Sequence, residues 1–429
     1  MGHAAPPRHS DPPPPYKTKP RPSRPRKRRE RERGLRRRVV SDRIAMTPSA
    51  ITTTEEEEVT SAAAAATESA AAEMEPLIPR LPDEVAEQCL LHLPFPYQAL
   101  ARSVSSAWNR ALSSSAFLRA KSELSAAHAL PYLFVFAFHP ISLRLQWQAL
   151  DPRTRRWFVL PRMPVPAGAA APLCPPAFAC AALPHRGEIY VLGGMRSDTE
   201  TPLRTLVAYR AATNSWSTGA PMPTPRSFFA AGAIGGRIIA AGGGDGGISA
   251  VECYDPAADR WAPAAVMPCG MARYDAAVVG RRMYVTEGWR WPFYASPKAG
   301  VYDADRDAWE EMSEGMREGW TGASAVVGGR LLVVTDYGDG RVKAYDAGSD
   351  AWRRVEGGGV PPELKRPYAV SGAEGEIYVV GSGLEVGVGT VAAVEGEGEK
   401  ERLRVEWRVV KGPPAFADLV PCYSQVLYA

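Results

Sequence analysis

Val251-Glu252-Cys253-Tyr254-Asp255-Pro256-Ala257-Ala258-Asp259-Arg260-Trp261 places a Tyr seven residues ahead of a Trp, with an Asp beside the Tyr. The same offset from an apolar residue to a Trp recurs at Leu150 to Trp157, Tyr209 to Trp216, Tyr302 to Trp309 and Tyr345 to Trp352. A sixth copy, Val394 to Trp407, fits once the polar insert Glu395–Lys400 is looped out. The six Trp stand 43 to 59 residues apart, the repeat length of propeller blades.

Each copy reads as four strands. The second is a short apolar run: Leu133–Phe138, Ile189–Gly194, Ile238–Gly243, Met283–Gly288, Leu331–Asp336 and Ile377–Ser382. Continuous apolar runs of this length suit strands buried on both faces. The third strand ends at the Tyr-Asp pair, and turn-forming residues such as Asn214-Ser215 and Asp255-Pro256 follow it. The Trp then opens the fourth strand, a large aromatic to fill the wedge between neighbouring blades. Ser122–Leu130 is helix-like where the first strand of the first blade would stand, whereas Ser424–Ala429 is a strand left over at the C-terminus. Residues 132–429 are therefore expected to form an all-β six-bladed propeller sealed by strand 424–429, an arrangement that pairs otherwise open edges.

The charge is uneven. Residues 1–73 hold 15 of the 51 Lys/Arg and 10 of the 47 Asp/Glu, so the remainder is nearly neutral. A neutral body lacks the basic footprint that nucleic acid requires, and any such binding would fall to the tail. Within that tail, Pro12–Pro15 and the basic clusters Arg26–Arg29 and Arg36–Arg38 predict a disordered, low-complexity segment, with a nuclear import signal as one use of the charge. Met74 stands directly before the first patterned stretch and is a second candidate for the start of translation, a reading that peptides recovered from residues 1–45 would exclude. Six Cys (89, 174, 180, 253, 269 and 422) show no Cys-x-x-Cys pair and no zinc-site spacing, so reduced thiols are expected. No apolar run reaches the roughly 18 residues of a membrane span. The expected location is cytosol or nucleus.

Residues 77–124 carry a different pattern. Leu81-Pro82-Asp83-Glu84 reads as a helix start. Val85, Cys89 and Leu93 follow at one residue per turn with Ala86 and Leu90 beside them, and Pro94 and Pro96 end the run. A second stripe, Leu100, Val104, Trp108 and Leu112, precedes Phe117 and Leu118. A module this small usually completes its core against a partner.

The run Leu81-Pro82-Asp83-Glu84, Leu90, Leu93-Pro94, Leu100, Val104, Trp108 and Phe117 resembles an F-box, the segment that docks on the Skp adaptor of cullin-based ubiquitin ligases. By that resemblance Leu81, Pro82, Leu90, Leu93, Pro94, Leu100, Val104 and Trp108 contact the adaptor or build the module core. F-boxes commonly carry a basic residue before the Trp, where this chain has Ser105-Ser106-Ala107. The Gly-Gly ending of the second strand, with Tyr and Trp at these distances, resembles the kelch repeat: Gly193-Gly194 and Gly242-Gly243 keep the pair, and Glu287-Gly288, Thr335-Asp336 and Gly381-Ser382 are degenerate copies. The order of modules resembles the plant F-box/kelch-repeat proteins. That resemblance implies the substrate-recognition subunit of an SCF-type ligase, non-catalytic itself and without cofactors. The Leu77-Ile78-Pro79-x-Leu81-Pro82 opening is similar to members that send phenylpropanoid and flavonoid enzymes to the proteasome.

The residues expected to face a protein substrate follow from the meander. Arg226, Arg273 and Arg366 stand at or near the starts of first strands, and Trp289, Arg290, Trp291, Phe293 and Tyr294 fill a second-to-third strand loop on the same face. Trp, Tyr and Arg are enriched at interface hot spots. Two other classes remain open: a kelch scaffold with no ligase role, and a metal-dependent kelch enzyme. Against the second, only His139 and His185 of the six His fall in the propeller, and no Gly-x-Ser-x-Gly or phosphate loop is present.

Overall fold

A computed structural model describes residues 76–128, 130–164, 177–244, 247–272, 275–288, 295–336, 338, 340–394 and 402–429. The tail read as residues 1–73 lies outside the described residues.

Among the described residues four helices come first: α1 (Asp83–Leu91), α2 (Tyr97–Ala101), α3 (Ser106–Ser113) and α4 (Ser115–His128). Asp83 and Glu84 occupy the first turn of α1, where carboxylates meet the positive end of the helix dipole. Asp83 Oδ1 also accepts the Leu77 N–H at 3.0 Å, which folds the chain entering α1 back onto it. Ser105 caps α3 by accepting the Trp108 N–H at 3.1 Å. The Ser-Ser-Ala run before the Trp thus begins a helix.

The first blade joins β1 (Pro131–Phe138), β2 (Leu145–Asp151) and β3 (Arg156–Val159) to β24 (Val420–Tyr428), in the order β24-β1-β2-β3. The second holds β4 (Phe178–Leu183), β5 (Glu188–Gly193), β6 (Leu206–Arg210) and β7 (Ser215–Thr218). The third holds β8 (Ala230–Ile234), β9 (Arg237–Ala241), β10 (Val251–Asp255) and β11 (Arg260–Ala264). The fourth holds β12 (Asp275–Val279), β13 (Arg282–Thr286), β14 (Ala299–Asp303) and β15 (Ala308–Glu310), and α5 (Glu314–Gly319) leads out of it. The fifth holds β16 (Gly322–Val327), β17 (Arg330–Thr335), β18 (Arg341–Asp346) and β19 (Ala351–Gly359). The sixth holds β20 (Lys365–Ala373), β21 (Glu376–Ser382), β22 (Val386–Val394) and β23 (Arg402–Val410). A single parallel bridge, Glu356 to Arg404, joins the outer strands of the last two blades into one eight-stranded sheet.

The ring closes through its innermost strands, which touch in the order β24, β4, β8, β12, β16, β20 and back to β24. β24 pairs antiparallel with β1 from Pro131 opposite Tyr428 to Phe138 opposite Val420. It begins four residues earlier than the 424–429 segment read from the sequence. One apolar cluster fills each of the six gaps between neighbouring blades. Each blade is an antiparallel meander, so its first-to-second hairpin and its third-to-fourth turn share one end of the ring, the turn end. The second-to-third loops and the blade-to-blade connections share the other, the loop end.

The repeated motif of the opening stretch holds one blade to the next. Tyr254 lies opposite Trp261 in the β10–β11 register, and the same pairing joins Tyr209 to Trp216, Tyr302 to Trp309 and Tyr345 to Trp352. Each indole N–H donates to a carbonyl leaving the preceding blade: Trp216 to Pro161 at 3.0 Å, Trp261 to Ala220 at 2.8 Å, Trp309 to Ala265 at 2.8 Å and Trp352 to Met316 at 3.0 Å. Each Tyr hydroxyl donates to an Asn or Asp five residues on, namely Asn214, Asp259, Asp307 and Asp350, at 2.6 to 2.8 Å. Three of these carboxylates also accept backbone N–H groups from the preceding blade: Ala220 to Asp259 at 2.7 Å, Ala265 to Asp307 at 2.9 Å, and Gly315 to Asp350 at 2.9 Å. All four residues take a left-handed backbone, with φ between 45° and 48°, which Asn and Asp tolerate better than other side chains.

Candidate functional site

In the helical module the side chains divide into a buried core and an exposed apolar set. Leu90, Leu91, Ala101, Leu112 and Phe117 are buried together, with Leu93 and Trp108 packed against them. The indole N–H of Trp108 donates to the Leu77 carbonyl. Outside that core, Leu81 is 38% exposed, Val85 46%, Leu100 59% and Val104 63%. Pro82, Cys89 and Pro94 are exposed as well. The sequence reading put Val85 and Cys89 on the same face as Ala86 and Leu90. The structure separates them, because α1 carries more apolar surface than its small core can cover. Of the residues read as adaptor contacts or module core, Leu90 is core, at 2% exposure. Among the described residues, Leu81, Val85, Leu100 and Val104 are four of the seven large apolar side chains left exposed, the others being Ile141, Val159 and Val266. Full burial of a Val or Leu stabilises by about 1.5–3 kcal/mol, so covering these four half-exposed groups offers a partner on the order of 4 kcal/mol.

The loop end gives a mixed account of the expected substrate residues. Arg273, Trp289, Arg290, Trp291, Phe293 and Tyr294 lie outside the described residues. At the base of their loop, Glu287 N–H donates to the Lys298 carbonyl at 2.9 Å, and Gly288 N–H donates to Thr286 Oγ1 at 3.1 Å. Arg366 is exposed, and its guanidinium donates to the carbonyls of Thr335 at 3.3 Å and Gly338 at 3.2 Å while lying 5.4 Å from the Tyr368 ring centre. It is held across the seam between the fifth and sixth blades.

Arg226 is a correction. Its side chain is wholly buried and pairs with Glu252 at 3.0 Å, while also donating to the carbonyls of Gly242 and Ala250. Glu252 is shared with the Thr224 hydroxyl at 2.6 Å. A guanidinium spent inside the third blade cannot meet a substrate, and it ties the start of that blade to its own second and third strands. Nothing near Arg226 in the sequence marks this, since its carboxylate partner arrives 26 residues later.

Between the inner strands runs an axial channel of about 690 Å³, lined largely by Ala and Gly with Asp275, Trp320, Tyr423 and Ser424 among the larger groups. Asp275 Oδ2 accepts the Trp320 indole N–H at 2.9 Å and the Ser324 N–H at 2.8 Å, and burial pushes its carboxyl above the usual range. Burial likewise raises the Cys180 and Cys422 thiols. Among the described residues no group of three His, Cys, Asp or Glu is placed to hold a metal ion, and no helix is long and apolar enough to cross a membrane.

Three residues near the helical module escaped the sequence reading: Phe95, Tyr97 and Arg102 all reach the propeller. Their partners lie in distant parts of the chain, so no local pattern announces them.

Comparison with known proteins agrees with this division. The F-box domain matches residues 78–120, and the Kelch motif matches residues 176–223 and 225–268, the two blades that keep a double glycine. The F-box protein AFR of Arabidopsis thaliana is 44% identical over 359 residues, spanning 82% of this chain and 93% of that protein. A second Arabidopsis thaliana F-box/kelch-repeat protein is 37% identical over 358 residues, spanning 83% of this chain and 87% of its own. Kelch-like protein 23 of Homo sapiens is 29% identical over 208 residues, 45% of this chain. The two modules, their order and identity across most of the length leave one conclusion: the chain belongs to the F-box/kelch-repeat family.

Proposed function

We propose that this chain is the substrate receptor of an SCF-type ubiquitin ligase, its helical module binding a Skp-type adaptor and its loop end a protein substrate marked for degradation. One observation carries the reading: the uncovered apolar set Leu81, Val85, Leu100 and Val104, on a module whose own core is already filled. Free in water such a set is a liability, and covered by an adaptor it is an interface core. In this reading Pro82 and Pro94 rim the contact, and Leu93 and Trp108 support it from beneath. The enzyme chemistry belongs to the recruited ligase components.

At the loop end, Arg366 with Tyr368 presents a charged and aromatic pair of the kind found at hot spots. The resemblance to receptors of phenylpropanoid and flavonoid enzymes rested on the Leu77–Pro82 opening. That opening packs on α1 and Trp108, so it bears on the helical module and leaves the substrate class to the loop end.

The test is co-purification from cells with the proteasome inhibited, comparing the intact chain with Leu100→Asp/Val104→Asp. Loss of adaptor and cullin with other partners retained supports the receptor reading, and the retained partners are substrate candidates. An intact chain that captures no adaptor points to a kelch scaffold outside the ligase and overturns it.

A further inference from the structure

We propose that Phe95, Tyr97 and Arg102 are positioning residues that lock the F-box onto the turn end of the propeller, so that the loop end points in one fixed direction from the adaptor. The contacts come from three sides. Phe95, in the link between α1 and α2, is 5% exposed and belongs to the apolar cluster between the first and second blades, its ring centre 5.1 Å from that of Tyr132 and 5.5 Å from that of Phe134. Tyr97, at the start of α2, packs edge-on against Phe158 of β3 at 5.7 Å, and its hydroxyl accepts from Arg156 at 2.8 Å. Arg102 bridges the two bodies with one guanidinium, donating to the Leu112 carbonyl of α3 at 3.2 Å and to the carbonyls of Ala212 and Thr213, in the third-to-fourth turn of the second blade, at 3.2 and 2.5 Å. A planar fork of donors suits such a bridge better than a flexible ammonium.

The chain on either side of these contacts has little slack. Lys121 of α4 donates to the carbonyls of Leu91 and Leu93 at 2.9 Å each, which ties the last helix to the link that carries Phe95. α4 then ends at His128 and β1 begins at Pro131, and Leu130 exchanges backbone hydrogen bonds with Ala429 at 3.1 and 3.4 Å. The connection is therefore short and is fastened to the end of the closing strand. Domain interfaces within a chain are commonly small and polar and permit relative motion. Here an aromatic side chain inserts into the partner's core, and a bridging guanidinium stands beside it.

The mechanical claim stands without the adaptor, and only its consequence for ubiquitin transfer rests on the receptor reading. Cys89 on α1 and Cys269 at the loop end are both exposed and accept nitroxide labels once Cys174, Cys253 and Cys422 are changed to Ser. Pulsed electron spin resonance on the full chain then reads the distance between F-box and loop end. One narrow distance peak is expected, gaining a second, displaced population in Tyr97→Ala/Arg102→Ala with the propeller melting temperature unchanged. Several distances in the parent, or an unaltered peak in the double variant, would overturn the proposal, as would a melting transition that collapses with the peak. Arg156→Ala, which removes only the donor to Tyr97, is the milder second variant and should shift the peak in the same direction.

Discussion

Arg226 and Glu252 form a fully desolvated ion pair, and such pairs are far more costly to break than they are valuable to have. Arg226→Ala leaves the Glu252 carboxylate buried without its cationic partner, so a loss of about 3–5 kcal/mol is expected. Arg226→Met together with Glu252→Leu removes both charges and should cost much less. Urea unfolding of the three proteins checks the order, and an Ala variant as stable as the double replacement would contradict it. Arg226 and its neighbour Ser227 also crowd one glycine of each double-glycine pair. A Cβ on Gly193, at φ 58°, would lie 2.5 Å from the Arg226 carbonyl oxygen, and one on Gly243, at φ 113°, would lie 3.0 Å from that of Ser227. Gly193→Ala is accordingly expected to lower the melting temperature, whereas Gly236→Ala, with open space around it though also at positive φ, should cost less. The pair of glycines was legible in the sequence as a family mark. Its cause was not, because the backbone that crowds it is distant in sequence, Arg226 for Gly193 and Ser227 for Gly243.

At the scale of the element, the Tyr, Asx and Trp of the second to fifth blades act as a latch. Asp350 accepts from Ser313, from Tyr345 and from the Gly315 and Met316 N–H groups, and these bonds hold its carboxyl down from the usual 3.8 to about 2. Asp259 is lowered in the same direction by the Ala220 N–H and then the Tyr254 hydroxyl. A carboxyl whose folded pKa is depressed stabilises the fold above its unfolded pKa, and that contribution is lost as pH falls through the folded value. The melting temperature should therefore drop as pH is lowered from about 3.8 to about 2, with a shallower drop in Asp350→Asn. Identical slopes in the two proteins would contradict the latch. The blades on either side of the closure lack it: Trp157 and Trp407 have buried indole N–H groups with no partner among the described residues, and Arg155 stands in the left-handed position that Asp or Asn fills elsewhere. The period of the Trp and the turn chemistry before it could be read from the sequence. That Asp259 reaches back to the preceding blade could not, since Ala220 is 39 residues away.

For the whole molecule, closure and orientation are the two consequences of how the ends are used. β24 supplies the innermost strand of the first blade, and its Leu427 and Val426 are buried in the clusters on either side of that blade. Truncation at Pro421 should then abolish cooperative unfolding rather than trim a tail, and a truncated chain with an intact melting transition would contradict closure by this strand. The missing first strand and the spare last one made this closure readable from sequence alone. The docking of the helical module was not readable, because Phe95 looks like any apolar residue of a small helical core until Tyr132 and Phe134 are placed beside it. In the proposed reading the molecule has two working ends: the exposed apolar set on the F-box and the loops on the opposite end of the ring. The claim that the first of these ends is an adaptor site is tested most directly by calorimetric titration of the purified full chain with a Skp-type adaptor. The account predicts saturable binding that Leu100→Asp/Val104→Asp weakens by at least ~30-fold, the loss of about one hot spot, without changing the melting temperature. Equal affinity for the two proteins, or no binding by the intact chain, would contradict it.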